Sequence, residues 1–304
     1  MSTTNRTFTR RRLLEGTAAG VGTAALASCA PDHFVSGDVN VVRVHTLPLE
    51  DPDDRRWLQS PVLDVELGPQ DMALPLNLQP AVTSLRVRAL HDHERIAFLL
   101  EWDDADIDDL TVRVDDFRDA CAVLLASGPP SLDLRPMGTA ASPATLLHWK
   151  ADWQRDVDEG RQGLDAVYPN RSVDVYPPLW DAATADVEPG TYADAQATMW
   201  LPGIHVDNPI SLAGRATPVE KAIAYGFGTT ATAATQNAAG RGFRTDAGWR
   251  VIISRPLGAV DDGEVSLTPG ANGTCAFAVW SGGADEVGSR KAPSRTVYSI
   301  VLER

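Results

Sequence analysis

The chain has 304 residues, with 27 Lys and Arg against 41 Asp and Glu, a formal net charge of −14 and only three cysteines. So acidic a surface argues against nucleic acid as a partner and against electrostatic adhesion to anionic lipid. With neither CxxC nor CxxCH present, covalent c-type haem and a cysteine-ligated iron–sulfur cluster are disfavoured as well.

The N-terminus reads as an export signal. Arg10-Arg11-Arg12-Leu13-Leu14 resembles a twin-arginine motif, and residues 16–28 (GTAAGVGTAALAS) form a weakly hydrophobic core. That core is too short and too glycine-rich to span a bilayer. Leu26-Ala27-Ser28-Cys29 resembles a lipobox, with Cys29 as the lipidated residue. Residues 1–28 are therefore assigned to the signal, 29–38 to a tether and 39–304 to a single domain. The protein is expected on the periplasmic or extracytoplasmic face, anchored through Cys29. Removing the signal takes away four arginines and only Glu15, so the mature chain is still more acidic.

Beyond the tether, short apolar runs alternate with turn residues. Val39–Leu47, Leu85–Leu90, Arg95–Trp102, Cys121–Ala126, Trp249–Ser254, Thr274–Trp280 and Thr296–Leu302 read as strands. His91-Asp92-His93-Glu94 joins two of them as a hairpin turn. The stretch after Ser127 (SGPP, then Pro136) reads as a rigid irregular loop, and Thr145–Gln154 as a strand followed by a bend. Asp156–Asp207 is polar, Pro-rich and dotted with aromatics, which suits long loops or a docking surface. Pro218–Gly226 is the best helix candidate, with Pro218 in its first turn and Gly226 as its stop. The sum is a mainly β chain, a β-sandwich with a few short helices and long loops.

Enzyme signatures are missing: there is no G-x-S-x-G, HExxH, Walker sequence or Rossmann glycine fingerprint. His91 and His93 share an exposed hairpin tip with no third ligand in sight. Asp103–Asp109 lacks the spacing of a calcium loop and reads as a solvated turn. Cys121 and Cys275, in strand-like runs, read as buried free thiols, with a disulfide between neighbouring strands as the alternative. Met72 reads as a packed side chain. Met137 differs, because a thioether in the proline-stiffened Arg135-Pro136-Met137-Gly138 loop could serve as a soft ligand. Lys291, between a glycine-rich turn and the last strand, could ligate only as a neutral amine, which requires burial.

Several segments in order resemble one family. They include Gln70-Asp71-Met72-Ala73-Leu74-Pro75, Ala89-Leu90-His91-Asp92, Leu100-Glu101-Trp102-Asp103-Asp104 and Pro136-Met137-Gly138. Leu147-His148-Trp149-Lys150-Ala151, Gly226-Phe227-Gly228-Thr229, Gly248-Trp249-Arg250-Val251 and Ala276-Phe277-Ala278-Val279-Trp280 continue the series. The chain is similar to the gamma subunits of the type II dimethyl-sulfoxide-reductase branch. These are the haem subunits of ethylbenzene dehydrogenase, dimethylsulfide dehydrogenase, and chlorate, selenate or nitrate reductases.

The resemblance implies one noncovalent haem b between the layers of the sandwich, with Met137 and Lys291 as axial ligands. Lys150 is the competing lysine. His148 is the alternative ligand or a propionate partner, and Arg255 is a second propionate partner. With both axial positions filled, the chain would relay electrons and not catalyse alone. Its partners would be an iron–sulfur beta subunit and a molybdenum-cofactor alpha subunit, with a quinol system or a cytochrome as the external redox partner. Two other readings stand beside it: a sugar- or ligand-binding sandwich lipoprotein without haem, and a structural scaffold subunit.

Overall fold

The computed structural model describes residues 38–130, 134, 136–170, 203, 206, 208, 210–211 and 214–304. The export signal, the tether up to residue 37 with Cys29, and residues 171–202 of the presumed docking segment lie outside the described residues.

The strands are β1 (Asp38–Arg43), β2 (Leu63–Glu66), β3 (Ser84–His91), β4 (Arg95–Asp103), β5 (Ala120–Ser127), β6 (Ala144–Lys150), β7 (Val219–Ala224), β8 (Ala231–Thr232), β9 (Ala239–Arg244), β10 (Gly248–Pro256), β11 (Asn272–Trp280), β12 (Ala292–Pro293) and β13 (Tyr298–Leu302). Two short helices, α1 (Ala151–Glu159) and α2 (Leu164–Val167), follow β6. The strands join in the order β8-β7-β6-β5-β11-β13-β1-β3-β4-β10-β9, with β12 on β11 and β2 on β3. All pairings are antiparallel except those of β1, which runs parallel to both β3 and β13.

The sheet folds so that its two wings face each other. Trp149 of β6 meets Trp102 of β4 at 6.2 Å and Trp249 of β10 at 5.0 Å between ring centroids. The result is a mainly β, sandwich-like architecture with few and short helices. Strand alternation explains it. In β5, Cys121, Val123 and Leu125 enter the main core, while Ala120, Ala122, Leu124 and Ala126 join a second cluster on the other face. A strand covered on both sides needs no polar face, which is why this stretch reads as an unbroken apolar run.

Two expectations need correction. The segment 218–226 is not helical: Val219–Ala224 is β7, with Val219 opposite Trp149 and Ala224 opposite Ala144. Its charged residues sit in the sheet because each has an ion partner, Glu220 with Lys150 and Lys221 with Glu264. The haem expected between the layers finds no space there. Phe98, Leu100, Val123, Leu125, Trp149 and Val251 fill that interior as one close-packed cluster.

Candidate functional site

The second apolar cluster carries the site. It lies on the face of β5, β6, β7 and β11 that points away from the main core, and it is rich in small residues: Ala120, Ala122, Ala126, Ala144, Ala222 and Ala278. Met137 packs against it from the loop between β5 and β6.

That loop is tightly specified. Met137 has φ 67°, a left-handed conformation rarely adopted by a methionine. Its N–H donates to the Leu134 carbonyl at 2.9 Å, and its own carbonyl accepts from the Gly226 N–H at 3.2 Å. Gly138 follows with φ 83°, where a Cβ would lie 2.9 Å from the Ala144 nitrogen. Only glycine fits there without shifting the backbone.

Lys291 arrives from the turn before β12. Its Nζ donates to Met137 Sδ at 3.5 Å and lies 6.0 Å from the Trp280 ring centroid. Burial pushes this amine down to about 8, and among the described residues no carboxylate pairs with it. His148, on β6, stacks on Trp280 at 4.7 Å. Burial, reinforced by the nearby cations of Lys150, Arg118 and Lys291, holds its imidazole well below the usual histidine range. Its Nε2 is buried and has no hydrogen-bond partner. A thioether, a lysine amine that burial drives toward its neutral form and a neutral imidazole thus gather over an alanine floor.

Three predicted site residues, Met137, Lys291 and His148, therefore come together, and the fourth does not. Arg255 is fully buried elsewhere, paired with Glu264 at 3.1 Å and donating to the carbonyls of Val265 and Gly258. It has no reach left for a ligand. Lys150, the competing lysine, is paired with Glu220 and sits over Trp153. Other expectations also change. His91 is not a solvated turn residue but is completely buried, with its Nε2 unpartnered. Met72 is half exposed and not packed. Cys121 and Cys275, by contrast, are buried free thiols as expected.

The haem reading is corrected on geometry. Here amine and thioether touch at 3.5 Å, with no porphyrin-sized slot between them. Clefts of about 260 and 240 Å³ open beside Asp108–Asp116 and beside Arg43–His93, and neither of these is lined by Met137 or Lys291. Among the described residues no group of three or more His, Cys, Asp or Glu side chains could hold a metal ion. With the slot go the bis-axial iron centre, the electron relay and the expected iron–sulfur and molybdenum partner subunits, for which the described residues give no support.

Sequence comparison adds a family. The family profile described as Ethylbenzene dehydrogenase matches residues 54–292. A curated relative from Haloferax mediterranei, named "Putative respiratory nitrate reductase heme subunit ORF7", is 25% identical over 138 residues, covering 43% of this chain and 49% of that protein. The chain thus spans about half the length of the curated relative it matches. Among solved structures, a family 9 carbohydrate-binding module from Caldicellulosiruptor kristjanssonii in complex with glucose has a TM-score of 0.38 at 9% identity, covering 88% of this chain and 96% of that one. A putative carbohydrate-binding protein from Bacteroides uniformis has a TM-score of 0.38 at 12% identity, covering 88% and 92%. Likenesses this distant carry no argument about what this chain binds.

Proposed function

From the premise that this chain belongs to the ethylbenzene dehydrogenase family, we propose that it is a non-catalytic ligand-binding module, exported and held at the extracytoplasmic face by Cys29. Its ligand seat is the face carrying Met137, Lys291 and His148. One observation carries the reading. Among the described residues the Lys291 amine has no acidic partner; it is largely withdrawn from water and in contact with a thioether whose backbone is held in a left-handed conformation. Burying an unpaired base costs stability, and such costs concentrate where a ligand supplies what the fold withholds.

The chemistry of the donors describes the ligand. Sδ of Met137 and Nε2 of His148 each offer a lone pair, and the Lys291 amine does so once it releases its proton at about 8. The floor is made of alanines, with the buried Trp280 ring packed against His148 beside it. A small, largely apolar molecule with a hydrogen-bond-donating group suits these acceptors. The haem in the Haloferax relative's name is not carried over, because amine and thioether close on one another here. A sugar is not favoured either. Trp57, Trp102, Trp149, Trp153, Trp249 and Trp280 are all buried, so none of them offers an exposed ring for a sugar face.

The test is extraction of the protein purified from its native host, followed by mass spectrometry and an absorption spectrum. A small molecule should accompany the wild-type protein. It should be retained at least about tenfold less by Met137→Ala and Lys291→Ala, as expected when a contact worth some 1.4 kcal/mol or more is removed. Retention of nothing, or equal retention by the variants, would sink the proposal. An intense Soret band that disappears in Met137→Ala would instead restore the haem reading corrected above.

A further inference from the structure

Met72 to Pro80 (MALPLNLQP) contains no charged residue, yet its large side chains point outward. Leu74 is 84% exposed and Leu78 59%, with Met72 and Leu76 also open to solvent. An apolar loop left free would turn such groups inward. This one is held open by Gln70, itself buried. The Gln70 amide donates to the carbonyls of Ala73 at 2.7 Å and Ser289 at 2.9 Å, and its Oε1 accepts from the N–H groups of Met72 and Ala73. The backbones of Gln70 and Asn77 exchange two further hydrogen bonds, and Ser289 Oγ donates to the Pro75 carbonyl. The loop is therefore an ordered apolar tip, the kind of surface that marks an interaction site.

Topology places this tip. The loop joins β2 to β3 and is closed at its base by the Leu67 N–H on the Thr83 carbonyl. Because β1 runs parallel to β3, with Val41 opposite Ala89, β1 starts at the end of the sheet from which the loop projects. The connection from β4 to β5 leaves the same end and exposes Ile107 and Val114. Eight residues separate Cys29 from Asp38. Fully extended, that tether reaches only about 30 Å.

We propose that the loop is a membrane contact, with Leu74, Leu76 and Leu78 seated in the acyl boundary of the bilayer that the Cys29 lipid enters. This rests on the anchoring reading. Among the described residues no helix is long and apolar enough to cross a membrane, so the contact is one of tips and not of a span. The acidic residues beside the tip, Asp71 and the Asp103–Asp109 run, disfavour anionic headgroups, so the contact is strongest on uncharged lipid.

The test uses the full chain in a Cys29→Ser background. A polarity-sensitive fluorophore is attached at Leu74→Cys or, as a control, at Val260→Cys, which is exposed at the opposite end of the sheet. Cys121 and Cys275 are buried and will not react. Phosphatidylcholine vesicles should blue-shift and brighten the probe at 74 and leave the probe at 260 unchanged. Adding Leu76→Asp should weaken vesicle binding about tenfold or more, the scale set by burying one leucine. A probe at 74 that stays wet with vesicles overturns the proposal. So does one already shielded without them in a concentration-dependent way, which would assign the tip to a second copy of the chain. The mass of the N-terminal peptide from the wild-type protein decides the anchoring reading separately. A responding loop on an unlipidated chain would support the contact and refute the anchor.

Discussion

Lys221 and Lys291 are both withdrawn from water, but the fold treats them differently. Lys221 Nζ lies 2.9 Å from Glu264 and 3.0 Å from Asp261, and Glu264 also takes Arg255 at 3.1 Å. Every charge in that network has an opposite charge beside it. Among the described residues, Lys291 has a thioether and an indole ring beside it and no carboxylate. A buried cation with carboxylates is a structural element, whereas a buried amine without one burdens the fold. The difference separates a region the protein needs in order to stand from one it keeps for use.

The comparison can be broken by substitution. The largest effect is expected at Glu264→Ala, which leaves Lys221 and Arg255 close together with one carboxylate fewer. Urea denaturation should show a loss of about 3–5 kcal/mol. Next come the two lysines under the same change. Lys221→Met should destabilise by about 2 kcal/mol, because Glu264 loses one partner. Lys291→Met should stabilise by about 1–2 kcal/mol at pH 7, because no charge is left to bury. Two changes of equal sign would erase the contrast.

A pH series sharpens it further. The Lys291 amine falls from its ordinary 10.5 to about 8 in the folded chain, through burial. Between those values the unfolded chain holds the proton and the folded chain has released it. Stability should therefore rise with pH across that window, while below pH 8 the full cost remains. The slope should vanish in Lys291→Met. The smallest effect is expected at Met137→Leu, nearly isosteric, with under about 1.5 kcal/mol in stability but reduced ligand retention.

Much of the fold was legible because alternation and turn chemistry agreed. The hairpin of β3 and β4, and the apolar runs of β5, β10 and β11, stand where the pattern put them. The segment 219–224 was misread because Pro218 and Gly226 punctuate a strand as readily as a helix. The ion partners that settle Glu220 and Lys221 in the sheet, Lys150 and Glu264, lie far along the chain and leave no local mark. Met137 was legible from its stiff loop and Lys291 from its odd setting. Their place outside the layers was not, because strands buried on both faces carry no signal of which side holds what. Arg255 was misassigned for the same reason as β7: Glu264, which occupies it, reaches it only in the folded chain.

The central claim is that the fold holds the Lys291 amine largely out of water and away from every carboxylate of the described residues. Its titration can be followed directly by NMR of the side chain in isotopically labelled protein, with Lys291→Met to assign the signal. A midpoint near pH 8 is the predicted result. A midpoint at the ordinary lysine value would mean that the amine is hydrated or paired, and would contradict the account.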